Sequence, residues 1–162
     1  MRRLLPVALA LVLAGCGGSK HASEPTTTAP SMLAVAGRVL YQGSDRAVAL
    51  DGTKATAYRL VGDSWHADRS DEPQIDILGP KPGATVQPIT QFAFQVTAKT
   101  DLVDTAMWVD GVEVPGKGGG LTPKKGTIYG APTKALRRGR HVAVAYASTA
   151  THATAVAWVF HV

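Results

Sequence analysis

Five histidines and one cysteine are the residues of this chain best suited to chemistry: His21, His66, His141, His152, His161 and Cys16. Imidazole and thiolate are strong donors to transition metals, so their placement decides whether a metal centre can form. Their spacing carries no ligand signature. His141 and His161 stand in runs where apolar residues alternate, on the sides opposite Val142/Val144 and Phe160/Val162. A histidine at such a corner reads as a hydrogen-bonding cap, and the others read as exposed. Carboxylates pair at Asp101 with Asp104 and at Asp71 with Glu72, but in turn-like stretches that place them in no cleft. Gly116-Lys117-Gly118-Gly119-Gly120 has the glycines of a phosphate cradle. It lacks the Lys-Ser/Thr ending and the following helix that aim backbone amides at a phosphate, so it reads as a flexible loop. No Gly-x-Ser-x-Gly elbow occurs.

The chemistry of Cys16 follows from its flanks. Met1-Arg2-Arg3 precedes an almost wholly apolar run from Leu4 to Leu13. That is the charged and apolar pattern of an export signal. It falls short of the ~20 apolar residues a membrane-spanning helix needs. The run ends Leu13-Ala14-Gly15-Cys16, which resembles the lipobox of bacterial lipoproteins. The resemblance implies that residues 1–15 are removed and that Cys16 carries a covalent diacylglycerol as the first mature residue. It implies a cell-membrane location on the extracytoplasmic side, with the membrane as a partner through the lipid anchor. No other cofactor is expected. Exported proteins often use disulfides, but a single cysteine allows no internal bridge, so packing must stabilise the fold. A lipidated Cys16 is also excluded as a catalytic nucleophile.

Formal net charge is +5, or +3 once Arg2 and Arg3 leave with the signal. Residues 45–76 hold seven acids and four bases. After Glu113 no acid follows, while Lys117, Lys124, Lys125, Lys134, Arg137, Arg138 and Arg140 do. These seven cations are candidate contacts for an anionic partner such as a cell-wall polymer or lipid head groups. They lack the interleaved aromatics on which nucleic-acid bases stack, so nucleic acid is not an expected partner.

The elements that must position these groups read as strands throughout. Residues 16–32 are rich in Gly, Ser, Thr and Pro, with no apolar repeat, and form a flexible tether. Its 15 residues 17–31 could reach on the order of 50 Å when fully extended. Residues 33–70 alternate short apolar runs with Gly and Asp turn signals, the pattern of a small β-meander. So little chain buries little surface alone, and this segment is expected to lean on the domain C-terminal to it. Residues 73–162 carry about seven strand-like runs and no convincing helix. Phe92, Phe94 and Val96 alternate with polar or small residues, and Met107–Val109 and Val112–Val114 flank Asp110-Gly111, a tight-hairpin signal. The predicted class is all-β, an antiparallel sandwich preceded by the meander.

Three family resemblances bear on the site. "ALRRGRHVAVAYAS" with "AVAWVFHV", and the opening "ILGPKPGATV", resemble bacterial immunoglobulin-like or fibronectin type III-like domains. Leu136, Gly139, His141, Val142 and Val144 fill the family's positions, and Trp108 stands where such folds bury a tryptophan on a central strand. The implied fold is an immunoglobulin-like β-sandwich over 73–162, a scaffold that hosts many roles. The tail from Val142 to Val162 is also similar to the last strands of the periplasmic copper-resistance C protein family. There His152 matches a ligand, with His141 and His161 as weaker candidates. Ala150 stands where that family has an aspartate, and a lipidated Cys16 replaces its N-terminal histidine, so no metal site is assigned. Gly62-Asp63-Ser64 resembles the nucleophile motif of a lipase family, but that chemistry needs a downstream Asp-x-x-His, and no acid follows Glu113. A turn between strands is the reading there. The sequence therefore points to a lipid-anchored, non-enzymatic binding or structural protein of the cell envelope, acting on wall polymer or another envelope protein. The alternative is an extracytoplasmic copper-binding protein.

Overall fold

The computed structural model describes residues 32–162. The signal expected at 1–15, Cys16, His21 and the tether expected to follow, up to residue 31, lie outside the described residues. Twelve strands form three four-stranded antiparallel sheets, with no helix among the described residues. The first sheet is a plain meander of β1 (Arg38–Gln42), β2 (Arg46–Asp51), β3 (Lys54–Val61) and β4 (Ser64–Ala67). The second holds β5 (Gln74–Gly79), β6 (Phe92–Thr97), β9 (Gly116–Thr122) and β10 (Lys125–Gly130), in the order β5-β6-β10-β9. The third holds β7 (Leu102–Val109), β8 (Val112–Glu113), β11 (Arg140–Thr149) and β12 (Ala153–His161), in the order β12-β11-β7-β8. The strand orders of the second and third sheets are those of an immunoglobulin-like sandwich with an added fourth strand beside its third.

Period-two alternation builds the sandwich core. Phe92, Phe94 and Val96 from β6 meet Met107 and Val109 from β7, Ala143, Ala145 and Ala147 from β11, and Trp158 and Phe160 from β12. Phe92 and Phe160 meet edge-on with centroids 5.1 Å apart. Each large apolar side chain so buried contributes about 1.5–3 kcal/mol. The alanines of β11 leave room for the aromatics of the facing sheet.

The third sheet is buried on its other face too. Trp108, Val144, Tyr146 and Ala153 pack against Val48 and Ala57 of the meander, with Leu40 and Leu50 alongside. The meander is thus a third layer laid on the sandwich. Arginines fix it at both ends. Arg38 Nη1 donates to the Asp110 carbonyl at 3.2 Å in the β7–β8 turn. At the far end, Arg46 Nη2 donates to the carbonyls of Thr149 at 3.0 Å and Ala150 at 2.6 Å, and Arg59 Nη1 to that of Thr151 at 2.9 Å. The Asp68 carboxylate adds an acceptor for the Ala153 amide at 2.9 Å.

One local expectation is refined and one is corrected. Trp108 is buried on a central strand, but it points away from the sandwich core and into the meander interface; Trp158 fills the core. Neighbours on a strand point to opposite faces, and Met107 and Val109 take the inner one. Gly116–Gly120, expected as a flexible loop, is most of edge strand β9. A side chain at Gly119 would press on the Tyr129 ring, 3.0 Å from its Cε1, so the missing Cβ lets that ring cover the strand.

Candidate binding cleft

At one end of the sandwich a cleft of about 450 Å³ opens between the β7–β8 hairpin and the loop 131–139. This lies within the usual range for ligand sites. The hairpin wall is set by its turn. Asp110 and Gly111 both take positive φ, 51° and 75°, as a tight hairpin of this hand requires, and glycine and aspartate tolerate that conformation. The turn places Val109, Val112 and Val114 along one side, with Val112 64% exposed at the lip. Across from them, the loop contributes Pro132, Ala135 and Leu136, with Lys134 and Arg137 among them. The Leu136 amide donates to the Pro88 carbonyl at 2.8 Å, and Gly139 exchanges hydrogen bonds with Val162, both 3.0 Å. These bonds anchor the C-terminal part of the loop.

His141, 8% exposed, lies between the two walls. Its Nδ1 is 2.6 Å from Asp110 Oδ2 and its Nε2 is 2.7 Å from the Arg137 carbonyl. The other Asp110 oxygen accepts the Val142 amide at 3.0 Å. The ring stacks on Phe160 at 5.3 Å. Burial opposes the charged ring and is the largest single influence on it. The Asp110 hydrogen bond, the Arg137 carbonyl and the Asp110 charge together outweigh it, so the pKa lies above the ordinary 6.5. Both ring nitrogens are engaged within the protein. His141 therefore positions the walls and offers no free nitrogen to a ligand or a metal.

The seven candidate cations are all exposed, and they do not form one surface. Arg140 pairs in register with His161, and Lys117 with Tyr129; with Lys134, Arg137 and Arg138, they lie at the cleft end. Lys124 and Lys125 lie at the other end, where Lys125 pairs with Thr97 and the Pro123 carbonyl accepts the Leu102 amide. Among the described residues none of the seven has an acid within 4 Å.

The candidate metal histidines are kept apart. His152 sits in the β11–β12 turn, the length of β11 away from His141, roughly 25–30 Å at strand rise. Its Nδ1 is 3.7 Å from the buried Asp68 carboxylate. His161 is exposed and on the face opposite His141, whose cross-strand partner is Phe160. His66 is exposed on β4. Among the described residues no three His, Cys, Asp or Glu side chains converge as a metal would need.

Sequence reasoning named His141 and the loop cations, and it missed the part Asp110 plays at the site. Asp110 was legible only as a turn residue, and its contact with His141 spans 31 positions. The matching clue was the pairing of a corner histidine with an acid placed in a hairpin turn. No known protein family matches the chain, and no curated protein is similar to it.

Proposed function

We propose that this is a lipid-anchored, extracytoplasmic envelope protein whose immunoglobulin-like domain binds an anionic partner at the cleft end, without catalysis. One observation carries the binding part of this reading. A cleft of ligand size has Asp110 and Glu113 on its hairpin wall and Lys134 and Arg137 on its loop wall; these two cations, and Arg138 and Arg140 close by in the chain, have no acid within 4 Å among the described residues. Unpaired cations beside a low-dielectric wall attract anions more strongly than cations already neutralised. The partner class is an acidic cell-wall polymer or an acidic face of another envelope protein. The anchor part rests on the lipobox resemblance at Cys16, where buried acyl chains contribute about 0.8 kcal/mol per methylene.

Two experiments test the two parts separately. Cys16→Ser should move the protein from the membrane fraction to the soluble fraction, and retention on membranes would overturn the anchor. Purified wall polymer should retain the wild-type domain. Changing Lys134, Arg137, Arg138 and Arg140 to Ser should weaken retention at least tenfold, whereas changing Lys124 and Lys125 should not. Equal losses from both sets would show charge attraction without a site.

A further inference from the structure

We propose that His141 is a proton-operated latch on the cleft: charged, it ties the loop 131–139 to the β7–β8 turn, and neutral, it releases the loop. The argument is one of donors and acceptors. A neutral imidazole has one N–H and one lone pair. Here both ring nitrogens face groups that accept, the Asp110 carboxylate at 2.6 Å and the Arg137 carbonyl at 2.7 Å. A backbone carbonyl has no proton to give. The Asp110 carboxylate already accepts the Val142 amide through its second oxygen. Turning the ring over would set carbons against both acceptors. With the Asp110 carboxylate ionised, only the imidazolium, with two N–H groups, satisfies the arrangement.

Loss of one proton has a defined consequence. The carboxylate is the stronger acceptor and keeps the Nδ1 hydrogen. The Nε2 lone pair then faces the Arg137 carbonyl oxygen across 2.7 Å, and two acceptors at that distance repel. Gly139 stays tied to Val162, so the release falls on Arg137 and Arg138 and, through the adjoining Leu136–Pro88 hydrogen bond, on the wall from Pro132 to Ala135.

The charged groups around the ring come from each neighbouring element. Asp110 is in the turn, Glu113 on β8, and Lys134 and Arg137 in the loop, all lining the cleft. Arg140 is its chain neighbour on β11. From the meander, Arg38 reaches the Asp110 carbonyl. β12 contributes the uncharged Phe160 ring. Asp110 is the one acid within 4 Å of His141 among the described residues, and the other acid of the cleft is Glu113.

As a control on ligand binding the latch rests on the cleft being the binding site; the latch itself is tested in the ligand-free, full-length mature chain. Long-range nitrogen–proton NMR of His141 from about pH 5 to 9 should show both nitrogens protonated at pH 6, with a midpoint above 6.5. The Arg137 carbonyl carbon should shift with the same midpoint. Exchange of the Leu136 amide, corrected for its intrinsic pH dependence, should quicken about tenfold or more across it. Asp110→Asn keeps a residue suited to the turn, and should lower the midpoint and move the exchange transition with it. A ring that is neutral at pH 6 would overturn the latch, and so would a titration that leaves loop exchange unchanged. If the latch holds while wall polymer fails to bind, the binding reading falls and the latch stands.

Discussion

His141 and Asp110 join parts of the chain that no local pattern connects. The histidine was legible as a corner cap because it opens an alternating run after Gly139. Its partner was not, because Asp-Gly is fully explained by hairpin geometry. Once paired, the two give a pH prediction whose sign is fixed. The folded-state pKa of His141 is raised, so its contribution is complete below the unfolded value of about 6.5 and is lost as pH rises through the folded value. Thermal midpoints measured across that window should fall with rising pH in the wild type and stay flatter in His141→Gln. At pH 6, His141→Gln should cost about 1.5–3 kcal/mol, the range for hydrogen bonds to a charged group. Asp110→Asn should cost less, because its side chain is 46% exposed and solvent screens the pair. Chemical denaturation of the three proteins at pH 6 checks the order.

At the scale of elements, the strands with clear alternation were legible and the exceptions share one cause. Four of the seven residues of β9 are glycines, so it shows no alternation to announce itself. Its cover comes from Tyr129 on the neighbouring strand, and its pairing is dictated by β10. Trp108 shows the same limit in another form. Burial was legible, but the face was not, because a strand covered on both sides buries odd and even residues alike. The meander's attachment depends on side chains reaching backbone carbonyls. Arg46 serves two of them in the 149–151 turn, with its side chain only 11% exposed. Arg46→Ala should therefore destabilise by about 1–3 kcal/mol, since it leaves both carbonyls without this donor. Hydrogen exchange should show the meander loosening before the sandwich does. Uniform loss of protection would mean that the layers unfold as one unit.

At the scale of the whole molecule, the meander and sandwich form a three-layer body with the third sheet in the middle. β11 is buried along nearly its whole length, from His141 to Thr149. Two tests probe that architecture. Trp108→Ala should cost about 3–5 kcal/mol, the range for removing a large buried aromatic, read from denaturant midpoints. A fragment beginning at residue 71 would uncover Trp108, Val144 and Tyr146. It should aggregate or bind a hydrophobic dye strongly, as contiguous exposed apolar faces do. A monomeric fragment as stable as the parent would show that the meander is an appendage.

The sequence alone determined the all-β class, most strand positions and the hairpin turns, because alternation and Gly/Asp turn chemistry act over a few residues. It also carried the lipobox resemblance at Cys16. Tertiary structure decided which face each strand buries, how the cations divide between the two ends, and which histidine meets which acid. Those outcomes depend on contacts between residues tens of positions apart, and so on which sheets stack and how their strands align. The cleft belongs to that second group. Its walls come from two hairpin strands and a distant loop, brought together only when β7 and β11 pair.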